Sequence, residues 1–470
     1  MIFEATTDPV RWLWAGLAVL GWGAILFLTV RGVRRARRTE AERRQSLAVD
    51  GDDDGVLVAY ASQTGFAEEL AWMTARALSD GGVGARVVSF ADLDLAALTA
   101  TRRALFVVST TGEGDPPDSA ARMVRTVLSH DASLPDLSWG LLSLGDRSYR
   151  DFCSFGRGVE AWLRASGATP LFDTVEVDDG DAAAIRHWQH QLNALTGATT
   201  APDWTPAAFD RWRLAERRLL NPGSPGGEAW HLALEPVGAL PGWSAGDIVE
   251  IGVPVPADWP AGTPAPGARE YSIASLPGDG RIELLVRLMT HPDGRPGLAS
   301  GWLTQIADIG AEVPLRVRVN RGFHAPGADV PMILIGNGTG LAGLRAHLKA
   351  REQAGGSGGA WLMFGERTAA HDAFHDAELR GWRANGTLTR LDRVFSRDVG
   401  PDGATGRYVQ SLIADHAATL RDWVGRGAAI YVCGSLNGMA SGVHAALEQA
   451  LGVDGLILLT ESCRYRRDVY

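Results

Sequence analysis

One arrangement recurs in this chain: a short apolar run, a loop of glycine and hydroxyl residues, then helical spacing. Val56–Ala61 runs into Ser62-Gln63-Thr64-Gly65-Phe66-Ala67. Helical spacing follows, with Phe66, Leu70, Met73 and Ala77 on one side and Glu68 and Glu69 in the first turn. Strands buried on both faces need such unbroken apolar runs, so the rhythm predicts a parallel sheet covered by helices. Strand-like runs at 85–90, 104–109, 140–144 and 174–177 extend it. The rhythm returns after Pro331, where residues 332–335 enter Gly336-Asn337-Gly338-Thr339-Gly340 and a helix beginning near Ala342. Between the two blocks apolar residues alternate with period two: Trp230, Leu232, Leu234; Ile282, Leu284, Val286; Val313, Leu315, Val317. Short, turn-punctuated strands of this kind predict a small antiparallel barrel, so the fold class is α/β plus β-barrel.

At 470 residues the chain has room for two to four domains. Its net charge of -10, with no dense basic patch interleaved with aromatics, argues against nucleic acid as a partner. Cys153, Cys433 and Cys463 form no CxxC pair, so neither a disulfide framework nor a metal site is expected. The N-terminus differs from everything after it. Residues 12–30 carry no charge, and a run of about 18 or more such residues can span a bilayer as a helix. Arg31, Arg34, Arg35, Arg37 and Arg38 follow the run rather than precede it, unlike a signal peptide. By the positive-inside rule the large C-terminal part then lies in the cytoplasm, which predicts a single-pass protein of the inner (plasma) membrane. The domains read as an anchor at 1–38, a tether at 39–55, an α/β domain at 56–197 and a linker at 198–228. A barrel at 229–329 and a second α/β domain at 330–470 complete them. Within the linker, residues 209–220 read as a short helical patch.

Open parallel sheets bind ligands at the carboxyl ends of their strands, and three loops of the first domain lie there. Ser62 to Ala67 offers hydroxyls and free amides to a terminal phosphate. Thr110-Thr111-Gly112-Glu113-Gly114 lets backbone approach a flat ring closely. Leu144-Gly145-Asp146-Arg147-Ser148-Tyr149, followed by Phe152-Cys153, presents Tyr149 for stacking on that ring. In the barrel, Arg269-Glu270-Tyr271-Ser272 joins a cation for a phosphate to an aromatic face and a hydroxyl. Gly297-Leu298-Ala299-Ser300 suits a pyrophosphate at a helix start. In the last domain, Ser396, Arg397 and Arg407 gather near one strand end, and guanidinium forks there favour the 2′-phosphate of NADPH over NADH.

The first domain resembles the flavodoxin-like FMN domain of diflavin reductases, and the second half resembles the ferredoxin–NADP reductase module found in them. The resemblance implies an antiparallel FAD barrel plus an α/β NADP domain. It implies FMN on the three loops, with Cys153 a packing residue, and FAD on Arg269, Tyr271, Ser272, Gly297, Ala299 and Ser300. NADPH would take Gly338, Thr339, Arg367, Ser396, Arg397, Arg407, Tyr408 and Gln410. Ser272, Cys433 and Asp468 would line the hydride path, and Tyr470 would cover the FAD ring. Two departures stand out. The 247–269 interval has no room for the family's helical connecting domain, and its Gly-Pro-Gly-Thr-Gly turn is here Gly336-Asn337-Gly338-Thr339-Gly340, with altered cofactor contacts expected.

The implied activity is an NADPH-dependent diflavin oxidoreductase, passing electrons from NADPH to FAD to FMN and on to a haem or iron acceptor at the membrane. The alternatives are the flavoprotein component of a sulfite reductase or ferric-siderophore reductase system, and a non-catalytic flavin-binding membrane adaptor. The partner expected is a one-electron acceptor protein, either a haemoprotein or a membrane iron or siderophore reductase. A flexible tether of 17 residues reaches only ~20–25 Å, which would keep the first domain close to the bilayer.

Overall fold

The computed structural model describes residues 55–197, 204, 208–255, 266–399 and 406–470. The expected anchor and most of its tether lie outside the described residues. Among the described residues no single helix is long and apolar enough to cross a membrane.

Three sheets follow in order. The first contains β1 (Val56–Ala61), β2 (Ala85–Ser89), β3 (Arg103–Ser109), β4 (Ser138–Gly145), β5 (Thr169–Pro170) and β6 (Val175–Asp178). Its order is β2-β1-β3-β4-β5, with β6 also on β4, and all its pairings are parallel. The runs of β1 and β3 are buried along nearly their whole length, as a sheet covered on both faces requires. Helices α1 (Phe66–Asp80) and α3 (Ala182–Thr196) pack on one face, where the Trp188 indole donates to Thr74 at 2.9 Å. Helix α2 (Ser154–Ala165) packs on the other, over Phe106, Trp139 and Leu141.

The second sheet is antiparallel, in the order β10-β9-β12-β7-β8-β11. Its strands are β7 (Asp210–Leu219), β8 (Ala229–Pro236), β9 (Ile248–Ile251), β10 (Arg269–Ser272), β11 (Ile282–Arg287) and β12 (Glu312–Arg318). Just past β10 the Ala274 amide donates to the Glu283 carbonyl on β11 at 2.8 Å, so the sheet curls until its two ends meet. The inward set Trp212, Leu214, Leu232, Leu234, Val249, Ile251, Leu284 and Val313 fills the space it encloses. The helical patch expected at 209–220 is instead β7, and the barrel therefore begins inside the segment expected as linker. Trp212 and Leu214 are fully buried while Arg211 and Arg213 face out, which is strand alternation. Helix-forming Arg, Glu and Leu mask that pattern in sequence, and pairing with β8 and β12 overrides their preference.

The third sheet is parallel again, β15-β14-β13-β16-β17, from β13 (Met332–Asn337), β14 (Ala360–Glu366), β15 (Arg390–Phe395), β16 (Ala429–Gly434) and β17 (Tyr465–Val469). The strand order reverses between β13 and β16, the crevice where such sheets take ligands. Helix α4 (Leu341–Ala354) starts there.

The first domain docks directly on the other two. Its Glu69 pairs with Arg316 at 3.1 Å, Glu68 with Arg321 and Asp118 with Arg467, while Arg125 meets Glu461 through two bonds. Arg318 donates to Thr64 at 3.2 Å. Gly65, at φ 91°, lies so close to the Val319 carbonyl that a Cβ would collide with it. Ion pairs at partly exposed sites weaken as the Debye length falls from ~10 Å at 0.1 M salt to ~3 Å at 1 M. Small-angle scattering should therefore show the radius of gyration rising with salt, and more so in Gly65→Ala. A radius constant across that range in both proteins would show that these contacts do not hold the domains together.

Candidate active site

The first domain's three loops converge because side chains tie them together. Ser119 exchanges hydrogen bonds with both backbone groups of Ser62, and Gln63 accepts from the Asp118 amide at 2.8 Å, which joins the first loop to the second. The Arg150 amide donates to Glu113 and the Ser154 hydroxyl to the Gly114 carbonyl, which joins the second to the third. Gly65 leads α1 and its amide donates to Ser62 Oγ at 2.9 Å; the amides of the helix's first turn lack intrahelical acceptors. Phe66 lies under the Arg318 guanidinium, 5.8 Å from ring centroid to Cζ, and Ala67 is buried behind it. The second loop needs positive φ at Gly112 and Gly114, and it buries the hydroxyls of Thr110 and Thr111 without a protein partner. Two buried hydroxyls with no partner among the described residues fit the polar edge of a flavin ring. On the third loop, burial pushes the Tyr149 phenol up, with Asp146 and Glu113 adding to it. Leu144 and Gly145 end β4, and Phe152 packs under Arg147. Cys153 is buried, donating to the Ser143 carbonyl at 3.3 Å, and burial holds its thiol up.

The curled sheet brings a second set together. Tyr271 and Ser272 alternate along edge strand β10, and burial pushes the Tyr271 phenol up to about 12. Arg269 is exposed, donating to the carbonyls of Gly267 and Ala268 and standing 4.0 Å from Asp179. Among the described residues no ion pair closer than that holds it. Near the far end of the sheet, Gly297 precedes a turn of helix (Leu298–Gly301) in which Ala299 and Ser300 are buried, and Ser300 Oγ accepts from the Met289 amide at 3.1 Å.

At the crevice of the third sheet the geometry is tightest. Side chains at Gly336 and Gly340 would strike the Cys433 carbonyl, so only glycine lets the turn lie against β16. Asn337 closes the contact: its side-chain oxygen accepts from the Ser435 amide at 3.0 Å. Proline could not make that bond, so the departure in this turn has a structural role. Gly338 has φ 53° and lies beside the Arg287–Glu366 ion pair. Ser396 is buried at the end of β15 with Arg397 exposed beside it, and the Arg397 amide donates to the Arg367 carbonyl at 2.7 Å. Arg407 is paired with Asp415 instead of being left open, and Tyr408 is half exposed. Gln410 buries a side-chain oxygen that has no partner among the described residues, which fits a place in a nucleotide seat.

Residues from β10, β16 and β17 meet between the second and third sheets. Parallel pairing sets Cys433 opposite Asp468. Ser272 Oγ donates to Asp468 at 2.6 Å, and Cys433 Sγ lies 3.6 Å from the same carboxylate oxygen and 4.0 Å from Ser272 Oγ. Burial raises the Asp468 carboxyl above its ordinary value, with the Ser272 and Cys433 hydrogen bonds opposing it. Burial, then Asp468, keeps the Cys433 thiol protonated. Tyr470 exposes about half its surface (52 %), and its hydroxyl bonds with Thr339 and Ser272. The chain's last residue thus reaches from β16 to the nucleotide turn.

The docking contacts at Arg316, Arg318 and Arg321 were not singled out from sequence, nor was Asn337 as a tie. The only trace of the former is three arginines on β12 and the loop after it, matched by two glutamates in one helical turn.

Comparison with known proteins agrees with this layout. Residues 58–188 match the flavodoxin family and residues 334–445 the oxidoreductase NAD-binding domain family. The sulfite reductase [NADPH] flavoprotein alpha-component of Vibrio vulnificus is 28 % identical, covering 88 % of this chain and 87 % of its own length. That of Bacillus subtilis is 28 % identical, covering 88 % and 89 %, and that of Vibrio parahaemolyticus 27 %, covering 90 % and 88 %.

A raised carboxyl pKa means that the fold favours the proton. Ionised Asp468 therefore costs stability above its folded pKa, and the cost fades as pH falls through that value. Asp468→Asn should raise the melting temperature near neutrality, with the gain shrinking in acid, while slowing oxidation of the nicotinamide substrate about tenfold or more. A variant that is less stable at neutral pH, or that keeps full rate, would remove Asp468 from this role. A flavodoxin domain and a nicotinamide-binding domain joined by an antiparallel flavin sheet make this chain an oxidoreductase of the diflavin reductase type, with seats for FMN, FAD and a nicotinamide cofactor.

Proposed function

We propose that the protein is the NADPH-dependent flavoprotein component of a sulfite reductase-type system, which delivers single electrons to a haemoprotein acceptor. Similarity along 88 % of the chain to sulfite reductase [NADPH] flavoproteins carries this reading. It favours the sulfite reductase alternative over the broader expectation of a haem or iron acceptor at the membrane. When bound, NADPH supplies a hydride to FAD, and FAD and FMN convert that pair into single electrons.

The chain's own residues supply position and dryness. Ser272 offers a hydroxyl oriented by Asp468, and Cys433 offers a thiol that burial keeps neutral. Tyr470 is an exposed aromatic cover that must leave its place for a nicotinamide to enter, as a lid does. Buried Ser396 and exposed Arg397 support the 2′-phosphate choice; Arg407, held by Asp415, supports it less. The FMN loops open toward this site, with the Gly112 turn within van der Waals reach of Leu436, whose amide donates to the Tyr470 carbonyl. Absence of a helical connecting domain is part of the same proposal. β9 and β10 pair directly across a 17-residue connection, and the Vibrio vulnificus alignment spans 546 positions against 470 residues here. Without such an insertion the flavin seats would meet by direct docking.

Anaerobic NADPH should bleach the flavin absorbance of the purified protein, and the reduced protein should reoxidise on adding a sulfite reductase haemoprotein. Flavin that stays oxidised under NADPH would leave only the adaptor reading. Reduced flavin that is indifferent to the haemoprotein would exclude it as the acceptor.

The apolar run at 12–30, followed by five arginines, supports a membrane anchor with the catalytic domains in the cytoplasm. Deleting residues 1–38 should release an NADPH-oxidising protein from the membrane fraction; a truncated chain that still sediments with membranes would count against the anchor.

A further inference from the structure

Strand β17 is an edge strand, and β16 is its one strand neighbour among the described residues. Side chains therefore do much of the work of holding it in place. Successive residues of a strand point to opposite sides, and here they reach different domains. Arg466 donates to the Arg321 and Gly322 carbonyls at 2.8 and 2.9 Å, and Asp468 accepts from Ser272, both on the flavin-sheet side. Arg467 points the other way, into the flavodoxin domain.

There it is held twice. Its guanidinium makes a forked pair with Asp118, and its carbonyl accepts from Gln63 Nε2 at 2.8 Å. Gln63 is itself fixed by the Asp118 amide, so both contacts come from one rigid pair of loops. The ion pair is largely withdrawn from water, with 23 % and 17 % of the two side chains exposed. Burial disfavours the Arg467 charge and Asp118 more than offsets it, holding the guanidinium above its ordinary value. Forked, desolvated pairs fix geometry as well as contributing energy, and removing one partner strands a charge.

We propose that Arg467 is a positioning residue through which docking of the flavodoxin domain holds Asp468 and Tyr470 in register at the hydride site. The proposal rests on the reading of Ser272, Cys433 and Asp468 as that site. A fixed Arg467 carbonyl and side chain set the height of β17 against β16, and hence the opposition of Cys433 and Asp468. Undocking removes both ties and leaves β17 held by β16, by buried Tyr465 and by the Arg466 and Asp468 contacts on the flavin-sheet side. Hydride acceptance at FAD is thereby coupled to the presence of the FMN domain, which contributes no residue to the Ser272–Cys433–Asp468 cluster. Coupling of this kind is reciprocal: a nicotinamide that displaces Tyr470 loosens the dock.

The test uses Asp118→Ala, which alters only the flavodoxin side of the clamp, in the full-length holoprotein. The first readout is maleimide labelling by mass spectrometry at Cys433, with buried Cys153 reporting general loosening and exposed Cys463 as the reference. The second is single-turnover flavin bleaching by NADPH. Cys433 should label about tenfold faster with Cys153 unchanged, and bleaching should slow about tenfold with little change in the NADPH concentration dependence. The charge-swapped pair Asp118→Arg with Arg467→Asp should restore both, and Arg467→Lys, which keeps the charge without the fork, should fall between. Wild-type labelling and bleaching in Asp118→Ala would overturn the proposal and reduce the pair to a docking contact. Equal labelling gains at Cys153 and Cys433 would overturn it too. Labelling needs no turnover, so failure of NADPH to bleach the wild-type flavin would sink the functional reading without deciding this one.

Discussion

Parallel pairing of β17 with β16 is the contact on which the site depends. It puts Asp468 beside Cys433 at the carboxyl end of a nucleotide-binding sheet and within 2.6 Å of Ser272 on another. One residue earlier the same strand grips the flavodoxin domain, and two residues later it covers the nucleotide turn. Three domains therefore converge on residues 467–470. The third sheet can accept that strand at its edge because the Gly336–Gly340 turn lies flat against Cys433, with Asn337 bonded to Ser435.

Ion pairs shape how the domains meet. Arg316 and Arg318 lie on β12 and Arg321 in the loop after it, and they face the first turn of α1 and the loop before it. Arg316 and Arg318 also have carboxylates on their own side, Glu250 for both and Glu270 for Arg318, so these two charges do not enter the interface unpaired. Such a contact is firm in geometry and modest in energy.

Much of the site was legible because its chemistry demands particular residues at particular strand ends. Glycine at 112, 338 and 340 and hydroxyls at 62, 110, 111 and 272 stand in sequence beside recognisable strand or helix patterns, whereas Asp468 and Tyr470 were expected from the family resemblance alone. Segment 210–219 was misread because helix propensity and strand alternation coexist in it, and only its partners β8 and β12 decide between them. Arg407 was expected near a phosphate because arginine at a strand end suggests one, and the fold adds Asp415, eight residues on, as its ion-pair partner.

The order of periodicities along the chain by itself determined the parallel, antiparallel, parallel succession, since each sheet type needs its own burial pattern. It also determined which loops can cradle a phosphate or a flat ring, because that ability is local. Only the tertiary structure decided which of those loops face one another. Ser272 and Asp468 are 196 residues apart, and Gln63 and Arg467 are 404 apart. Contacts across such separations follow from how sheets curl and dock, and no local preference encodes them.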